Sequence, residues 1–332
     1  MKEFIMAILL SKKDVADVLT MPDTIDILEK AFIDHKNGQV VMPVRLNIPE
    51  PDHSGISLFM PCYLKGLEAL GIKTVTVYKD NPAKYNMPTV LGTITLLDNK
   101  TGNTLAVMDA GYLTGMRTGA VAGLATKYLA RPNSKVMGLL GAGVMAKFQL
   151  MAVTAVIKLD KVKVFSIDKP EKQKQFKELM EPAVGTSIEF VDSAQKAVAD
   201  SDIVTLITSA KDPIIDGDWI SPGTHINGVG SHAPTFREPD TKTIKRSKVV
   251  CDSIEACKAE AGDFIIPIHD GELDDSLFKA ELGDVVTGTK VRTADDDVTF
   301  FKSVGLALQD ISVAHHIYRK AVEAGKGMQF EF

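Results

Sequence analysis

Residues 136–143 read Val-Met-Gly-Leu-Leu-Gly-Ala-Gly, an apolar run typical of a buried strand that leads directly into a glycine-rich turn. Gly141 allows a tight turn, Gly143 lets the backbone approach a pyrophosphate, and the small Ala146 allows a helix to pack closely on the strand. A helix over 147–157 would point its unpaired N–H groups at the anion. The order of strand, turn and helix predicts a dinucleotide-binding segment.

A second apolar segment, 162–167, ends in Asp168, about 20 residues beyond the turn. An acid at this place binds the ribose hydroxyls of NAD and would repel the 2′-phosphate of NADP. The pattern favours NAD(H) as the cofactor, and the adjacent Lys169 leaves NADP(H) possible. The alternative for the whole segment is an ordinary strand–turn–helix connection that binds no ligand.

The composition limits the classes of function. The 332 residues are 45% hydrophobic and 24% charged, which is typical of a globular protein with room for two domains. A net charge of −5 gives no electrostatic footprint for nucleic acid. Cys62, Cys251 and Cys257 are too few and too irregularly spaced for a disulfide framework or a zinc site, and they indicate a reducing compartment. No apolar run reaches the length of a membrane span, so we expect a cytoplasmic protein without membrane or nucleic-acid partners.

The first third of the chain changes from helical to alternating patterns. Residues 4–10 are predicted to form a first strand rather than a signal peptide. Helices are predicted from Ser11, which begins a capping pattern, and from Pro22 to about Lys36. Alternating segments that predict strands follow at 44–48, 56–60, 71–78, 90–97 and 104–108. These strands predict a mainly antiparallel or mixed sheet.

Beyond a helix at 114–130, strands and helices alternate, which predicts a parallel sheet wrapped by helices. The fold class is therefore α/β, with a Rossmann-type doubly wound parallel sheet at 118–303. A mixed α+β domain occupies 1–117, and a final amphipathic helix within 304–332 is expected to return to it. The predicted segments of the parallel region are strands at 135–140, 162–167, 187–191, 203–207, 225–229 and 249–252, and helices at 145–158, 170–180, 193–200 and 238–246.

Four basic residues outside the glycine turn are candidates for chemistry: Arg45, Lys73, Arg117 and His232. Lys73 interrupts an apolar strand, where a charge is costly unless it is paired. His232 lies on a loop after a predicted strand, at the sheet edge where ligands bind in such folds. The alternatives are that Arg45 and Lys73 are solvated edge-strand charges, that Arg117 pairs with an acid such as Asp109, and that His232 is a turn residue.

These residue types suit a reaction on a carboxylate. Arginine binds carboxylates in a bidentate way, and a desolvated Lys73 would have a lowered pKa suited to general acid or base catalysis. The sequence has no Ser-His-Asp pattern, no paired-carboxylate motif and no clustered His/Cys set for a metal. Hydride transfer needs none of these, because the nicotinamide carries the difficult step.

Several separated segments resemble the ornithine cyclodeaminase/mu-crystallin family over nearly the whole chain. They are residues 58–61, 70–73, 113–120, 125–134, 141–143, 225–232, 237–238 and 303–310. The resemblance implies homodimers formed through the first domain, which also binds substrate, and a Rossmann domain that binds NAD(H) or NADP(H). It implies small α-amino or α-imino acids as substrates.

By position, the resemblance implies that Arg45, Lys73 and Arg117 hold the substrate carboxylate and that Lys73 is placed for proton transfer. Cofactor contacts are implied at Thr89, Arg117, Thr118, Gly141, Gly143, Val144, Met145, Asp168, Thr208, Val229, Gly230 and Ser231.

One segment departs from the family pattern. Ornithine cyclodeaminases have an aspartate in a Gly-Gly-Asp-Cys-Pro stretch, and here residues 230–234 are Gly-Ser-His-Ala-Pro. The imidazole of His232 attracts a second, cationic amine poorly but can still move a proton near neutral pH. This departure weakens the ornithine cyclodeaminase interpretation without removing it.

We therefore predict an NAD(P)-dependent oxidoreductase of small α-amino or α-imino acids, of the alanine dehydrogenase or pyrroline-2-carboxylate/ketimine reductase type. Lys73 or His232 would supply or remove the proton on nitrogen. One alternative is ornithine cyclodeaminase, which forms proline and ammonia with no net change in NADH. The other is a non-catalytic, crystallin-like protein that binds NAD(P)H.

Overall fold

The computed structural model describes residues 6–331, and these fall into two compact units. The first unit is Met1–Arg117 with Leu306–Phe332, and the second is Thr118–Gly305. Residues 4 and 5 of the predicted first strand lie outside the described residues. Within the described part of the chain, no helix is both long enough and apolar enough to span a membrane.

The first unit is built on an eight-stranded mixed sheet. Its strands are β1 (Ala7–Leu10), β2 (Val40–Val41), β3 (Leu46–Glu50), β4 (Gly55–Leu64), β5 (Ala69–Tyr78), β6 (Val90–Leu97), β7 (Thr104–Asp109) and β16 (Met328–Phe330). Its helices are α1 (Lys12–Val18), α2 (Met21–Lys36), α3 (Asn81–Tyr85) and α12 (Ala307–Glu323), and α4 (Gly111–Leu129) begins here and continues into the second unit.

The strand order of this sheet is β16-β1-β7-β6-β5-β4-β2, and β3 also pairs with β4. β1 runs parallel to β7, and the other pairs are antiparallel, as the alternating sequence pattern predicts. The last helix, α12, packs on α2 and on the face formed by β4, β5 and β6. Gly71 of β5 makes room for it, because a Cβ there would lie 3.2 Å from the Cδ1 atom of Ile311.

The second unit is a fully parallel eight-stranded sheet with helices in the connections between strands. Its strands are β8 (Val136–Leu140), β9 (Lys161–Phe165), β10 (Ser187–Phe190), β11 (Ile203–Leu206), β12 (His225–Gly228), β13 (Ser247–Cys251), β14 (Phe278–Glu281) and β15 (Val298–Lys302). Its helices are α5 (Ala146–Val156), α6 (Pro170–Val184), α7 (Ala194–Val198), α8 (Thr241–Lys245), α9 (Ile254–Glu260), α10 (Gly262–His269) and α11 (Leu282–Val286).

The order of this sheet is β10-β9-β8-β11-β12-β15-β13-β14, and every pair is parallel. From β8 the chain adds β9 and β10 on one side of the sheet. It then adds β11 and the later strands on the other side of β8. The carboxyl ends of β8 and β11 therefore form the switch point at which ligands bind in doubly wound sheets. The predicted α/β fold class, with a parallel and a mixed sheet, is confirmed.

Three local expectations were wrong or incomplete. Arg45 was predicted to lie on a strand, but β3 begins at Leu46, after a segment that contains Pro43, a residue without a backbone N–H. The alternative that Arg117 pairs with an acid is confirmed, but the acid is Asp310 and not Asp109. The sequence patterns also missed β14, β15 and the helices between β13 and β14, which are too short to show a clear period.

Candidate active site

Lys73 is a buried cation in the middle of the first unit's sheet. It lies on β5, where the register places Met60 on one side and Ile94 on the other, and it is only 2% exposed. Its ammonium group donates to Oδ2 of Asp310 at 2.7 Å. Burial lowers the pKa of Lys73 to about 8, although the Asp310 carboxylate opposes this shift. The alternative that Lys73 is a solvated edge-strand charge is wrong, and the lysine holds a proton that it can release near neutral pH.

Arg117 shares the same carboxylate. Its Nε donates to Oδ1 of Asp310 at 2.9 Å, and its Nη1 donates to Oε1 of Gln309 at 2.8 Å. Asp310 is fully buried and lies in the first turn of α12, where the helix dipole favours a negative charge. The two oxygens of one carboxylate therefore fix two cations that come from different parts of the sequence.

Arg45 is the third cation of this group. Arg45 directly precedes Leu46, which pairs with Phe59, and the residue after Phe59, Met60, pairs with Lys73. Its positive charge lowers the pKa of Lys73 as a minor contribution. Lys73 and Arg117 are two cations against the single carboxylate of Asp310, and this surplus of positive charge attracts an anionic group such as a carboxylate.

The sheet face next to these cations is apolar. Leu58, Val75 and Gly92 are paired across β4, β5 and β6, two residues along from the row of Lys73, and they therefore lie on the same face. Leu58 and Val75 are half-buried. A Cβ on Gly92 would lie 3.2 Å from the Cβ of Ala110, so the row is narrow at this point. A small ligand held by the cations would find apolar side chains beside it.

The glycine turn of the second unit has the geometry that the sequence predicts. Gly141 directly follows β8 with φ of +104°, and a Cβ there would lie 2.6 Å from the carbonyl oxygen of Ile207. Gly143 is exposed, and no atom of residues 6–331 other than its chain neighbours lies within 4 Å of the place of its missing Cβ. Val144 is also exposed, and α5 begins at Ala146. These features fit the approach of a pyrophosphate to the backbone at the N-terminus of α5.

Asp168 lies beyond the carboxyl end of β9, the strand next to β8. Its Oδ2 accepts a hydrogen bond from the Ser166 hydroxyl at 2.6 Å, and its Oδ1 lies 3.9 Å from the ammonium of Lys172. The neighbouring Ile167 is 96% exposed. An acid and an apolar side chain thus stand together where the adenosine part of a dinucleotide binds in this fold.

Two more loops leave the same edge of the sheet, after β11 and β12. The first carries Thr208, and the second carries Val229, Gly230, Ser231 and His232. His232 is exposed, and its Nδ1 lies 2.9 Å from the carbonyl oxygen of Gly230. Because a carbonyl oxygen only accepts hydrogen bonds, Nδ1 carries the proton in the neutral ring and Nε2 is the acceptor.

The remaining residues named from the sequence lie as follows. Thr89 belongs to the first unit, where its carbonyl accepts a hydrogen bond from the Tyr78 amide. Thr118 is buried at the start of the second unit, and its carbonyl accepts one from Gln149. The structure brings Arg45, Lys73 and Arg117 together, whereas the glycine turn and His232 belong to the other unit.

Sequence reasoning missed Asp310 and Gln309 as members of the cation group. Asp310 is an acid within an apolar run at 304–314, and this is the same signal that singled out Lys73. Glu238 was also missed, although its carboxylate accepts hydrogen bonds from the amides of Thr208, Gly230 and Ser231. Among residues 6–331, no group of three or more His, Cys, Asp or Glu side chains is arranged to hold a metal ion.

The sequence matches the model of the ornithine cyclodeaminase/mu-crystallin family over residues 6–325. It is 36% identical to a Delta(1)-pyrroline-2-carboxylate reductase of Bacillus cereus over 98% of this chain and 100% of that protein.

Two solved structures are similar over almost the whole chain. The Delta(1)-pyrroline-2-carboxylate reductase of Thermococcus litoralis, in complex with NADH and L-proline, is 43% identical with a TM-score of 0.92, covering 97% of this chain and 99% of that one. An archaeal alanine dehydrogenase dimer with bound NAD is 32% identical with a TM-score of 0.92, covering 98% and 99%.

Proposed function

We propose that this chain, which belongs to the ornithine cyclodeaminase/mu-crystallin family and is an NAD-dependent amino/imino acid oxidoreductase, reduces Δ1-pyrroline-2-carboxylate to proline. The observation that carries the proposal is the buried group of Lys73, Arg117 and Asp310, with Arg45 beside it. It combines a surplus of positive charge for a carboxylate with one lysine whose proton is available near neutral pH.

The substrate carboxylate would be held by the two arginines. Arg45 and Arg117 present guanidinium groups, which bind a carboxylate through paired hydrogen bonds. Asp310 keeps Arg117 and Lys73 in place and balances part of their charge. Fixing the substrate in one orientation accounts for much of the rate, since effective molarities of this kind are worth roughly 7–11 kcal/mol.

Lys73 would complete the reduction by giving its proton to the imine nitrogen. When NADH is bound, the chemistry that the cofactor supplies is donation of a hydride to the imine carbon. The proton from Lys73 and the hydride together convert the C=N bond to an amine, and solvent returns a proton to the lysine. His232 is the alternative proton donor.

The cofactor would be held by the second unit in the manner of other Rossmann folds. The glycine turn at 141–145 would take the pyrophosphate, and Asp168 would take the adenosine ribose. The loops after β11 and β12 would contact the nicotinamide half through Thr208, Val229, Gly230 and Ser231. The family resemblance adds contacts at Thr89, Arg117 and Thr118.

The apolar face formed by Leu58, Val75 and Gly92 supports a substrate whose side chain carries no charge. A diamino acid such as ornithine would bring a second ammonium group close to three cations, where it is repelled. We therefore rank the cyclodeaminase reaction below the reductase. Alanine dehydrogenase activity remains the second candidate, favoured by the similarity to the archaeal enzyme.

The proposal includes a homodimer formed through the first unit and a cytoplasmic location. The edge made by β2, β3 and the segment between them exposes Val41, Val44 and Leu46, which are 63%, 77% and 59% exposed. Apolar side chains in a row on an unpaired strand edge are typical of an interface. The three cysteines are buried thiols without disulfides, as in proteins of reducing compartments.

The test is NADH absorbance with the purified protein in three parallel reactions. One contains Δ1-pyrroline-2-carboxylate, one contains pyruvate with ammonia, and one contains ornithine with catalytic NAD. We expect the fastest NADH oxidation with the cyclic imine. A faster reaction with pyruvate and ammonia would make the protein an alanine dehydrogenase, and proline formed from ornithine without net NADH change would make it a cyclodeaminase.

A further inference from the structure

Glu238 joins two loops of the second unit through a single buried carboxylate. It is fully buried and lies between β12 and α8. Its Oε1 accepts hydrogen bonds from the amide and the hydroxyl of Thr208, at 2.7 and 2.8 Å. Its Oε2 accepts from the amides of Gly230 and Ser231, at 2.9 and 3.1 Å. The loop after β11 and the loop after β12 thus meet on the same side chain.

The two loops approach each other too closely for any side chain at position 230. A Cβ on Gly230 would lie 2.4 Å from Oε1 of Glu238, 2.4 Å from the carbonyl oxygen of Thr208 and 2.5 Å from its amide nitrogen. The glycine therefore makes room for the carboxylate between the loops. The close approach at Gly230 and the four hydrogen bonds are two separate geometric observations. Both indicate that the Glu238 carboxylate holds the two loops together.

An ionised carboxylate accepts all four of these hydrogen bonds at once. Three of the four donors are backbone N–H groups, which cannot accept a hydrogen bond in return. A glutamine amide would place its NH2 group against at least one of these N–H groups, and a protonated carboxyl would have only the Thr208 hydroxyl as an acceptor. The loops are therefore joined fully when Glu238 is charged and less well when it is neutral.

Burial and the charged neighbours of Glu238 bring its pKa close to neutral pH. Asp263 of α10 accepts a hydrogen bond from the Glu238 amide, and Lys302 at the end of β15 donates to Asp263 and to the carbonyl of Ser231. All three ionisable side chains are buried, so two acids share one base. Burial and then the charge of Asp263 raise the pKa of Glu238 to about 7, while Lys302 and the bonds from Thr208 act in the opposite direction.

We propose that Glu238 is a positioning residue that holds the loops after β11 and β12 as one platform for the nicotinamide half of the cofactor. The inference rests on the proposed function, in which NAD(H) binds across the switch point. In such folds, the β8–β10 half with Asp168 takes the adenosine, and the half that starts at β11 takes the other nucleotide. Glu238 would therefore affect one end of the cofactor and leave the other unchanged.

The experiment compares NADH with ADP-ribose, which has the adenosine and pyrophosphate but no nicotinamide. Calorimetric binding of both ligands is measured at pH 8 for the wild type, for Glu238→Gln and for a control, Glu181→Gln. Glu181 is a matched control because its carboxylate also accepts a hydrogen bond from a backbone N–H, that of Ile188. Ile188 lies on β10, which is on the other side of β8 from β11 and β12. We expect Glu238→Gln to bind NADH about tenfold more weakly, a loss of about 1.4 kcal/mol. ADP-ribose binding should stay within about twofold in both variants.

A second measurement begins with the wild type and uses Glu238→Gln as its control. Between pH 8 and pH 6, NADH affinity of the wild type should fall while ADP-ribose affinity stays constant, because Glu238 becomes protonated in this range. In Glu238→Gln the NADH affinity should not depend on pH. A dependence that persists in this variant would belong to another group, such as His232, and would overturn the inference.

The outcomes separate the two proposals. Equal weakening of both ligands, or no weakening, in Glu238→Gln would overturn the positioning role while leaving the oxidoreductase function intact. A wild-type protein that binds neither NADH nor ADP-ribose would contradict the proposed function itself, and the inference with it.

Discussion

Two buried charge groups, one in each unit, have opposite compositions. In the first unit, Lys73 and Arg117 bind the single acid Asp310, whereas in the second unit Glu238 and Asp263 share the single base Lys302. Burial lowers the pKa of Lys73 to about 8 and raises that of Glu238 to about 7, so both lie close to neutral pH.

The difference lies in what each surplus charge binds. In the first unit, the cations have one internal counter-charge, the carboxylate of Asp310. The positive charge that remains is suited to binding an external anion. The negative surplus of the second unit is used internally, since Glu238 binds the backbone amides of Thr208, Gly230 and Ser231. In the roles that we propose, the buried charge would act on a substrate in one group and on the protein's own loops in the other.

The largest effect is expected from Lys73→Met. This change keeps a side chain of similar length and removes the ammonium group that would give the proton. We therefore expect kcat for imine reduction to fall about 10²- to 10⁴-fold. NADH binding should stay close to that of the wild type, since the glycine turn belongs to the other unit. Steady-state rates and calorimetric NADH binding check the two parts. Retention of full turnover would show that Lys73 does not transfer the proton.

Asp310→Asn should damage the stability of the first unit. The change leaves Lys73 and Arg117 buried without their shared counter-charge, which costs roughly 3–5 kcal/mol when a buried pair is broken. A thermal melt followed by circular dichroism measures this loss. Asp17→Asn is the control, because its ion pairs with Lys13 and Lys326 are at the surface and should contribute little. Equal melting temperatures for the two variants would show that the central ion group does not stabilise the fold.

The pH dependence of catalysis should follow Lys73. Because burial lowers its pKa, the lysine is protonated below pH 8 and neutral above it. We expect the rate of imine reduction, which needs the acid form, to fall about tenfold per pH unit above pH 8. Oxidation of proline, which needs the base form, should rise with pH up to about pH 8 and level off above it. Profiles of kcat/KM in both directions check this, and the same slope in both directions would contradict it.

The smallest effect is expected at the adenosine end. Asp168→Ala removes the carboxylate that would repel a 2′-phosphate, so the ratio of NADPH to NADH affinity should rise by about tenfold or less. Lys172→Ala, which removes the cation 3.9 Å from Asp168, is the comparison variant and should not favour NADPH. An unchanged ratio in Asp168→Ala would mean that this acid does not face the ribose.

The sequence predicted those parts of the molecule that depend on local patterns. The glycine turn and the parallel sheet around it follow from short segments, because a strand, a tight turn and a helix are determined by neighbouring residues, and the apolar strand around Lys73 marked this lysine as a candidate without deciding its burial. Asp168 also lies at the predicted strand end.

Local sequence patterns could not predict which residues pair when they are far apart in the sequence. Lys73 and Asp310 are 237 residues apart, and no spacing rule connects them. The position of β15 between β12 and β13 likewise depends on tertiary packing rather than on its own sequence. Glu238 was missed because its partners are backbone amides, which carry no signature in the side-chain sequence.

Steady-state NADH oxidation with Δ1-pyrroline-2-carboxylate, with both reactants varied, tests the contrast between the two groups most directly. The variants are Arg45→Gln in the first unit and Glu238→Gln in the second. We expect Arg45→Gln to raise KM for the imino acid alone and Glu238→Gln to raise KM for NADH alone. If both variants raise the same KM, or if neither does, the two charge groups do not have the separate roles described.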